Sequence, residues 1–263
     1  MEKSSSNKYG FQKDEIQPED YVFGASLPME VLAPNADWTE FLPEFEHQSA
    51  GAVETMACTI FGTLNAVEIL LRRFGFDENL SDRWLAWNAD VDPNSGGSPQ
   101  RAAETLRKGG VPHEKDWPAD FSSVENFYKT PPTKLIEVAR NFLDRYVFKH
   151  EYVKDNSIES VKEALKYSPL GVSVTAWFED NGVFYSPKGQ PNNHWCVLYG
   201  FDDSKKAWKI FDSYDNITKL YSYDSEMTAI KRYFLVPRVH SPQKNWVIEL
   251  CTSLWGFIRD IIH

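Results

Sequence analysis

Three side chains of this 263-residue chain, Cys58, His194 and Asp212, stand in the order nucleophile, base, orienting group. A thiol attacks as its thiolate, so it needs a base beside it, and an imidazole base needs an acceptor to hold its tautomer. Cys58 opens an apolar helical run, where the helix N-terminus favours negative charge on sulfur and predicts a lowered thiol pKa. His194 precedes the apolar run from Trp195 to Tyr199, and Asp212 closes another apolar segment 18 positions after it. Two antiparallel strands joined by the polar turn Asp202-Asp203-Ser204-Lys205-Lys206 would bring imidazole and carboxylate together at one end of a sheet. Such a set suits nucleophilic acyl transfer. The developing oxyanion then needs donors, for which the Cys58 backbone N–H and the upstream amide of Gln48 are the candidates.

The elements that must carry these groups are legible as periodicities. Ile60, Phe61, Leu64, Ala66, Ile69 and Leu70 recur at helical spacing and predict a helix over residues 57–74, stopped at Gly75. Ser81 caps a short helix through Trp84 and Trp87. Ser98-Pro99 opens a helix that Gly109-Gly110 ends, and residues 134–146 and 158–167 read as further helices. Residues 171–177, 194–201, 207–212, 220–223 and 230–236 read as strands. Helices precede strands, which predicts an α+β fold with a helical lobe against an antiparallel sheet lobe.

Composition narrows the function classes. Apolar residues at 42% and charged residues at 25% are ordinary for a globular chain. A net charge of -10 argues against nucleic acid as a partner, because phosphate contact needs a basic face. Cys58, Cys196 and Cys251 cannot all pair within the chain, and the first residues are polar, which together predict a reducing, cytoplasmic setting. No run of about 18 apolar residues predicts a membrane span. Asp90-Val91-Asp92-Pro93-Asn94 begins like a calcium loop, but Ser95 stands at its sixth position and Arg101 at its twelfth. With no zinc spacing and no phosphate-cradling glycine loop, neither a metal nor a cofactor is expected. Three segments are expected: a mobile N-terminal stretch (residues 1–20), a catalytic domain (21–240) and an amphipathic helix (241–263). Val247, Leu250, Cys251, Leu254, Trp255 and Ile258 line one face of that helix, which would dock on the body, a partner or a membrane surface.

Several blocks, in order, resemble the papain-like cysteine peptidases. Gln48 followed by Ala57-Cys58-Thr59-Ile60-Phe61 resembles the oxyanion glutamine and nucleophile helix, and Leu80-Ser81 the short segment after it. Gly96-Gly97-Ser98-Pro99, then Lys108-Gly109-Gly110 through Trp117-Pro118, resembles the family's glycine-pair loop, helix and exit. Asn193-His194 with Gly200-Phe201, and residues 208–214, resemble the histidine strand and the segment carrying the orienting residue. The resemblance implies a two-lobe papain-like fold and a protein or peptide substrate. It implies that Cys58 attacks the scissile carbonyl, His194 shuttles the proton, Asp212 orients His194, and Gln48 completes the oxyanion hole. It also implies that Gly96, Gly97 and Asn193 line the substrate. The chain departs from the pattern in carrying Asp212 where an asparagine is usual, Thr59 after the nucleophile, and Gln48 ten positions before Cys58, four more than usual. Two other readings stay open: a transglutaminase-like acyltransferase, and a catalytically dead peptide-binding protein on the same fold.

Overall fold

The computed structural model describes residues 9–17, 20–25, 29–214 and 218–238. The expected C-terminal amphipathic helix lies outside them. After a 3₁₀ turn (Thr39–Phe41), a small hairpin forms from β1 (Ser49–Ala50) and β2 (Val53–Glu54). The helices α1 (Cys58–Arg73), α2 (Asp82–Asn88), α3 (Pro99–Gly109), α4 (Val124–Phe127) and α5 (Leu135–Arg145) follow. Then come β3 (Tyr146–Tyr152), α6 (Ile158–Leu165), β4 (Leu170–Val174), β5 (Phe178–Asp180), β6 (Val183–Tyr185), β7 (His194–Asp202), β8 (Ala207–Phe211), β9 (Thr218–Ser222) and β10 (Ile230–Pro237). Among the described residues, eight strands make one sheet in the order β3-β10-β4-β7-β8-β9-β6-β5. Every pairing is antiparallel except the parallel contact of β6 with β9. The fold is α+β, as expected. None of the described helices is long and apolar enough to cross a membrane.

Local chemistry accounts for the helix ends. The Ser81 and Ser98 hydroxyls accept the N–H groups of Trp84 and Arg101, satisfying donors that a first turn leaves free. Pro99 begins α3, and Gly110 ends it with φ 70°. One reading needs correction, and one element went unread. Residues 146–152 form the edge strand β3 along β10, although Tyr146 reads as the end of a helix. No glycine or proline separates Arg145 from Tyr146, so the chain passes from helix to strand without a breaker. The short hairpin of β5 and β6 carries no alternation that would announce it.

Helix α1 and strand β7 form the centre of the molecule. Residues 58–71 of α1 are all buried, and so are the first seven residues of β7, on both faces of the sheet. The two elements come close because Gly62 has no side chain. A Cβ there would stand 2.7 Å from Cδ1 of Trp195 and 3.4 Å from the Cys196 backbone. Gly62 lies one helical turn after Cys58, on the same face. The close approach therefore sets the sulfur beside the first residues of β7.

Beneath α1, Glu46, Glu68, Asp82 and Glu114 bring four carboxyl groups together. Burial and the neighbouring carboxylates push Glu68 and Asp82 far above the ordinary range, and Glu114 to about 7. A carboxyl raised in the folded state adds stability below its unfolded value and loses it as pH rises through the folded value. For Glu114 the loss runs from about pH 4.5 to about pH 7. His150, lowered to about 4 by burial and by Lys231, acts in the opposite sense at acid pH. The Glu114 contribution is therefore isolated by comparison with a neutral variant. Relative to the native chain, Glu114→Gln should gain about 5 °C in Tm between pH 4.5 and pH 8. Thermal unfolding at both pH values checks this, and a constant difference would refute it.

Candidate active site

The approach to Cys58 is held rigidly. Thr55 Oγ1 donates to the Gln48 carbonyl (2.7 Å) and accepts from Ala57 N (3.3 Å). Met56, with φ 57°, takes the left-handed backbone that a side chain disfavours, and its N–H is fixed by Glu54 Oε1 at 2.9 Å. Cys58 then opens α1 and is wholly buried. The backbone N–H groups of Trp195 and Thr59 both reach its sulfur.

His194, also wholly buried, opens β7, and its Nε2 lies 2.6 Å from Asp212 Oδ1. Its Nδ1 is buried and has no hydrogen-bond partner among the described residues. The ring is boxed by Tyr9, Trp177 and Tyr214 at centroid distances of 5.5, 5.7 and 5.2 Å. Asp212 follows β8. Antiparallel pairing of Val197 with Phe211 carries its backbone toward the start of β7, as the turn at Asp202 predicts. Its second oxygen accepts from Lys219 Nζ at 2.5 Å. Burial alone would raise Asp212, but His194 and Lys219 outweigh it and hold the carboxyl below its ordinary range.

The thiol departs from expectation. Burial pushes Cys58 well above its ordinary value, and the negative charges of Asp212 and Glu54 add to the rise. The N–H groups of Trp195 and Thr59 oppose it without overcoming it. The helix N-terminus is in place, but a sulfur sealed from water cannot keep a charge cheaply.

Gln48 is buried behind Asp212. Its Oε1 accepts from Ser213 Oγ (2.7 Å), and its Nε2 donates to Glu54 Oε1 (2.8 Å) and Tyr214 OH (2.7 Å). Both amide hydrogens are thus committed, and none is free for an oxyanion in this arrangement. The long spacing to Cys58 has a simple cause: the hairpin of β1 and β2 fills the interval. Glu54 and Lys219 escaped sequence reasoning, since a single charged residue on a short strand gives no periodic signal.

The segment at residues 9–17 lies across the site, with the Tyr9 ring 5.5 Å from that of His194. Gly97 donates its N–H to the Gly10 carbonyl (2.8 Å) and accepts from Gln12 N (2.9 Å), so Phe11 pairs with Gly97 in parallel register. Phe11 N donates to the Asn193 carbonyl at 3.4 Å, and the Phe11 ring stacks on Trp195 at 5.7 Å. Gly10, at φ 95°, threads a gap that admits no side chain, since a Cβ would stand 2.0 Å from the Met56 carbonyl oxygen. On the other side, a Cβ on Gly96 would collide with the Gly10 carbonyl at 1.8 Å. Asp14 anchors the segment by accepting from Ser98 Oγ and Gln100 N at the start of α3. Residues 9–17 belong to the stretch 1–20 that polarity marks as mobile; their backbone pairs with Gly97, an interaction to which polarity is irrelevant. Gly96, Gly97 and Asn193 thus all meet an extended peptide segment.

Among the described residues, no group of three or more His, Cys, Asp or Glu side chains is arranged to hold a metal ion. No family model matches the chain. A probable cysteine protease of Arabidopsis thaliana, RD21B, is 26% identical over 199 residues, 71% of this chain and 40% of that protein. The chain therefore spans well under half of that relative. Among solved structures, xylellain, a cysteine protease from Xylella fastidiosa, superimposes with a TM-score of 0.66 at 19% identity, covering 88% of this chain and 96% of that one. Bromelain from Ananas comosus in complex with the E64 inhibitor gives 0.58 at 21% identity, over 78% and 98% of the two chains. Digestive procathepsin L 3 of Tenebrio molitor gives 0.58 at 17%, over 84% and 73%. The sequence relative and the shared architecture agree with the order of the blocks around Cys58, Gly97 and His194: the chain has the papain-like fold of the cysteine proteases on which it superimposes.

Proposed function

We propose that the protein is a cysteine endopeptidase that cleaves protein or peptide substrates through a thioester on Cys58. One observation carries the reading. Cys58 opens α1 against the first residues of β7, where His194 is hydrogen-bonded to Asp212 and keeps its Nδ1 without a partner among the described residues. The Cys58 thiol gives its proton to His194 Nδ1, and the thiolate attacks the scissile carbonyl. His194 then protonates the departing amine. Water, deprotonated by the same imidazole, hydrolyses the thioester and releases the acid, restoring the thiol. The Cys58 N–H is one oxyanion donor, and Gln48 becomes the second once Glu54 lets go of its amide. In the closed arrangement residues 9–17 block the cleft. Their departure admits substrate to Gly97 and water to the sulfur.

The pairing of Gly97 with an extended peptide favours a peptide substrate over a transglutaminase-like reaction. Incubating the protein with denatured casein and a fluorescent primary amine separates the two. New amino termini without amine incorporation are expected. Amine incorporation without cleavage would replace the reading with an acyltransferase, and neither product, with Cys58 no more reactive than Cys196, would leave a binding protein.

A further inference from the structure

Asp212 differs from a neutral orienting amide by a full negative charge buried beside the imidazole. A buried carboxylate that faces imidazole alone holds a proton on that ring more tightly by about 1–3 pH units. The structure supplies a counter-charge. Lys219 on β9 is 3% exposed, and its Nζ lies 2.5 Å from Asp212 Oδ2, while Oδ1 serves His194 at 2.6 Å. The ammonium also lies 4.9 Å from the Trp177 ring and 5.8 Å from the Phe184 ring. Trp177 in turn stands edge-on to the His194 ring. These aromatic walls leave the carboxylate little water to screen it, so the ammonium acts at close to full strength. Other polar and ionisable groups around the pair are Cys58 on α1, Glu54 on β2, Cys196 on β7, Tyr214 after β8 and Tyr9. Glu54 is hydrogen-bonded by Gln48, Met56 N and Tyr214.

We propose that Lys219 is a positioning residue of this site, whose ammonium offsets the Asp212 charge and so sets how firmly His194 keeps its proton. The proposal rests on the peptidase reading for its catalytic meaning. With Lys219 in place, Asp212 orients the imidazole much as a neutral amide would. Without it, the carboxylate overstabilises the imidazolium, which then gives its proton to the leaving amine more slowly. Lys219 thereby makes an aspartate workable at a position where an amide needs no counter-ion.

The test is the titration of the His194 ring by ¹⁵N NMR in the full chain, assigned by its loss in His194→Ala. Lys219→Met should move the midpoint up by about one pH unit, and Asp212→Asn should move it down, since the ammonium then faces the ring uncompensated. The double variant should return close to the native midpoint, so the two changes oppose each other rather than add. Kinetically, Lys219→Met should lower kcat several-fold and leave KM nearly unchanged. If Lys219→Met fails to fold around its stranded carboxylate, the comparison of Asp212→Asn with the double variant carries the test alone. There, removing the ammonium should raise the midpoint. A midpoint that is the same with and without the lysine in both backgrounds would overturn the proposal. The titration reads the proton on His194 whether or not a peptide bond is cut, so failure here is distinct from failure of the peptidase reading, which casein cleavage by the native chain tests.

Discussion

Replacing Cys58 with serine, or His194 with alanine, should lower the rate of peptide hydrolysis by a factor on the order of 10⁴ or more. The size follows from covalent chemistry. Without sulfur no thioester forms, and a serine hydroxyl at this position has the same buried, negatively flanked surroundings that already disfavour the softer thiolate. Without the imidazole, the described carboxylates near the thiol are poor substitutes as bases, because Asp212 lies on the far side of the ring from Nδ1 and Glu54 is already hydrogen-bonded by Gln48, Met56 N and Tyr214. The two losses should not add: the double variant should be about as slow as either single one, since the pair acts as a unit. Fluorogenic peptide turnover measures all three. Independent, multiplying effects would mean that the two side chains serve different steps.

The second large effect is a gain. Gly10→Val should raise kcat/KM by about 30- to 100-fold. The valine Cβ would meet the Met56 carbonyl at 2.0 Å, and φ 95° is hostile to a β-branched residue. Both penalties fall on the closed arrangement alone, so the equilibrium moves toward an open cleft. The magnitude comes from what holds residues 9–17 down. Two backbone bonds to Gly97, with the Asp14 bonds at α3, together supply roughly 2–3 kcal/mol net, which keeps the open form at about 3 per cent or less. Alkylation of Cys58 should accelerate by a similar factor, because the sulfur then meets water. Asp14→Ala, which removes the anchor but not the pairing, should give a smaller gain. Unchanged turnover in Gly10→Val would show that these residues do not limit access.

Much of the architecture was visible in the sequence because it depends on local chemistry. Helix α1 follows from its apolar period, α2 from the Ser81 cap, and α3 from Ser98-Pro99 at one end and Gly110 at the other. The meeting of His194 with Asp212 followed from strand spacing and one polar turn. What stayed hidden depends on partners distant in sequence or on backbone. Strand β3 continues α5 without a breaker and is defined by its pairing with β10. The binding of residues 9–17 is written mostly in main-chain hydrogen bonds to Gly97, with Gly10, the Phe11 ring and the Asp14 carboxylate as the clues in residue type. The raised Cys58 thiol follows from its burial in the folded chain, so a helix N-terminus alone could not reveal it. The carboxyl group beneath α1 gathers Glu46, Glu68, Asp82 and Glu114 from separate segments, and no spacing rule brings them together.

The central claim is a reactive thiol–imidazole pair of Cys58 and His194, and an epoxide thiol inhibitor tests it most directly. The native chain, Gly10→Val and His194→Ala are each treated, and the adduct is mapped by peptide mass spectrometry. The account predicts labelling of Cys58 in preference to Cys196 and Cys251, faster in Gly10→Val and absent in His194→Ala. Equal labelling of the three cysteines, or an unlabelled Cys58 even in Gly10→Val, would contradict it.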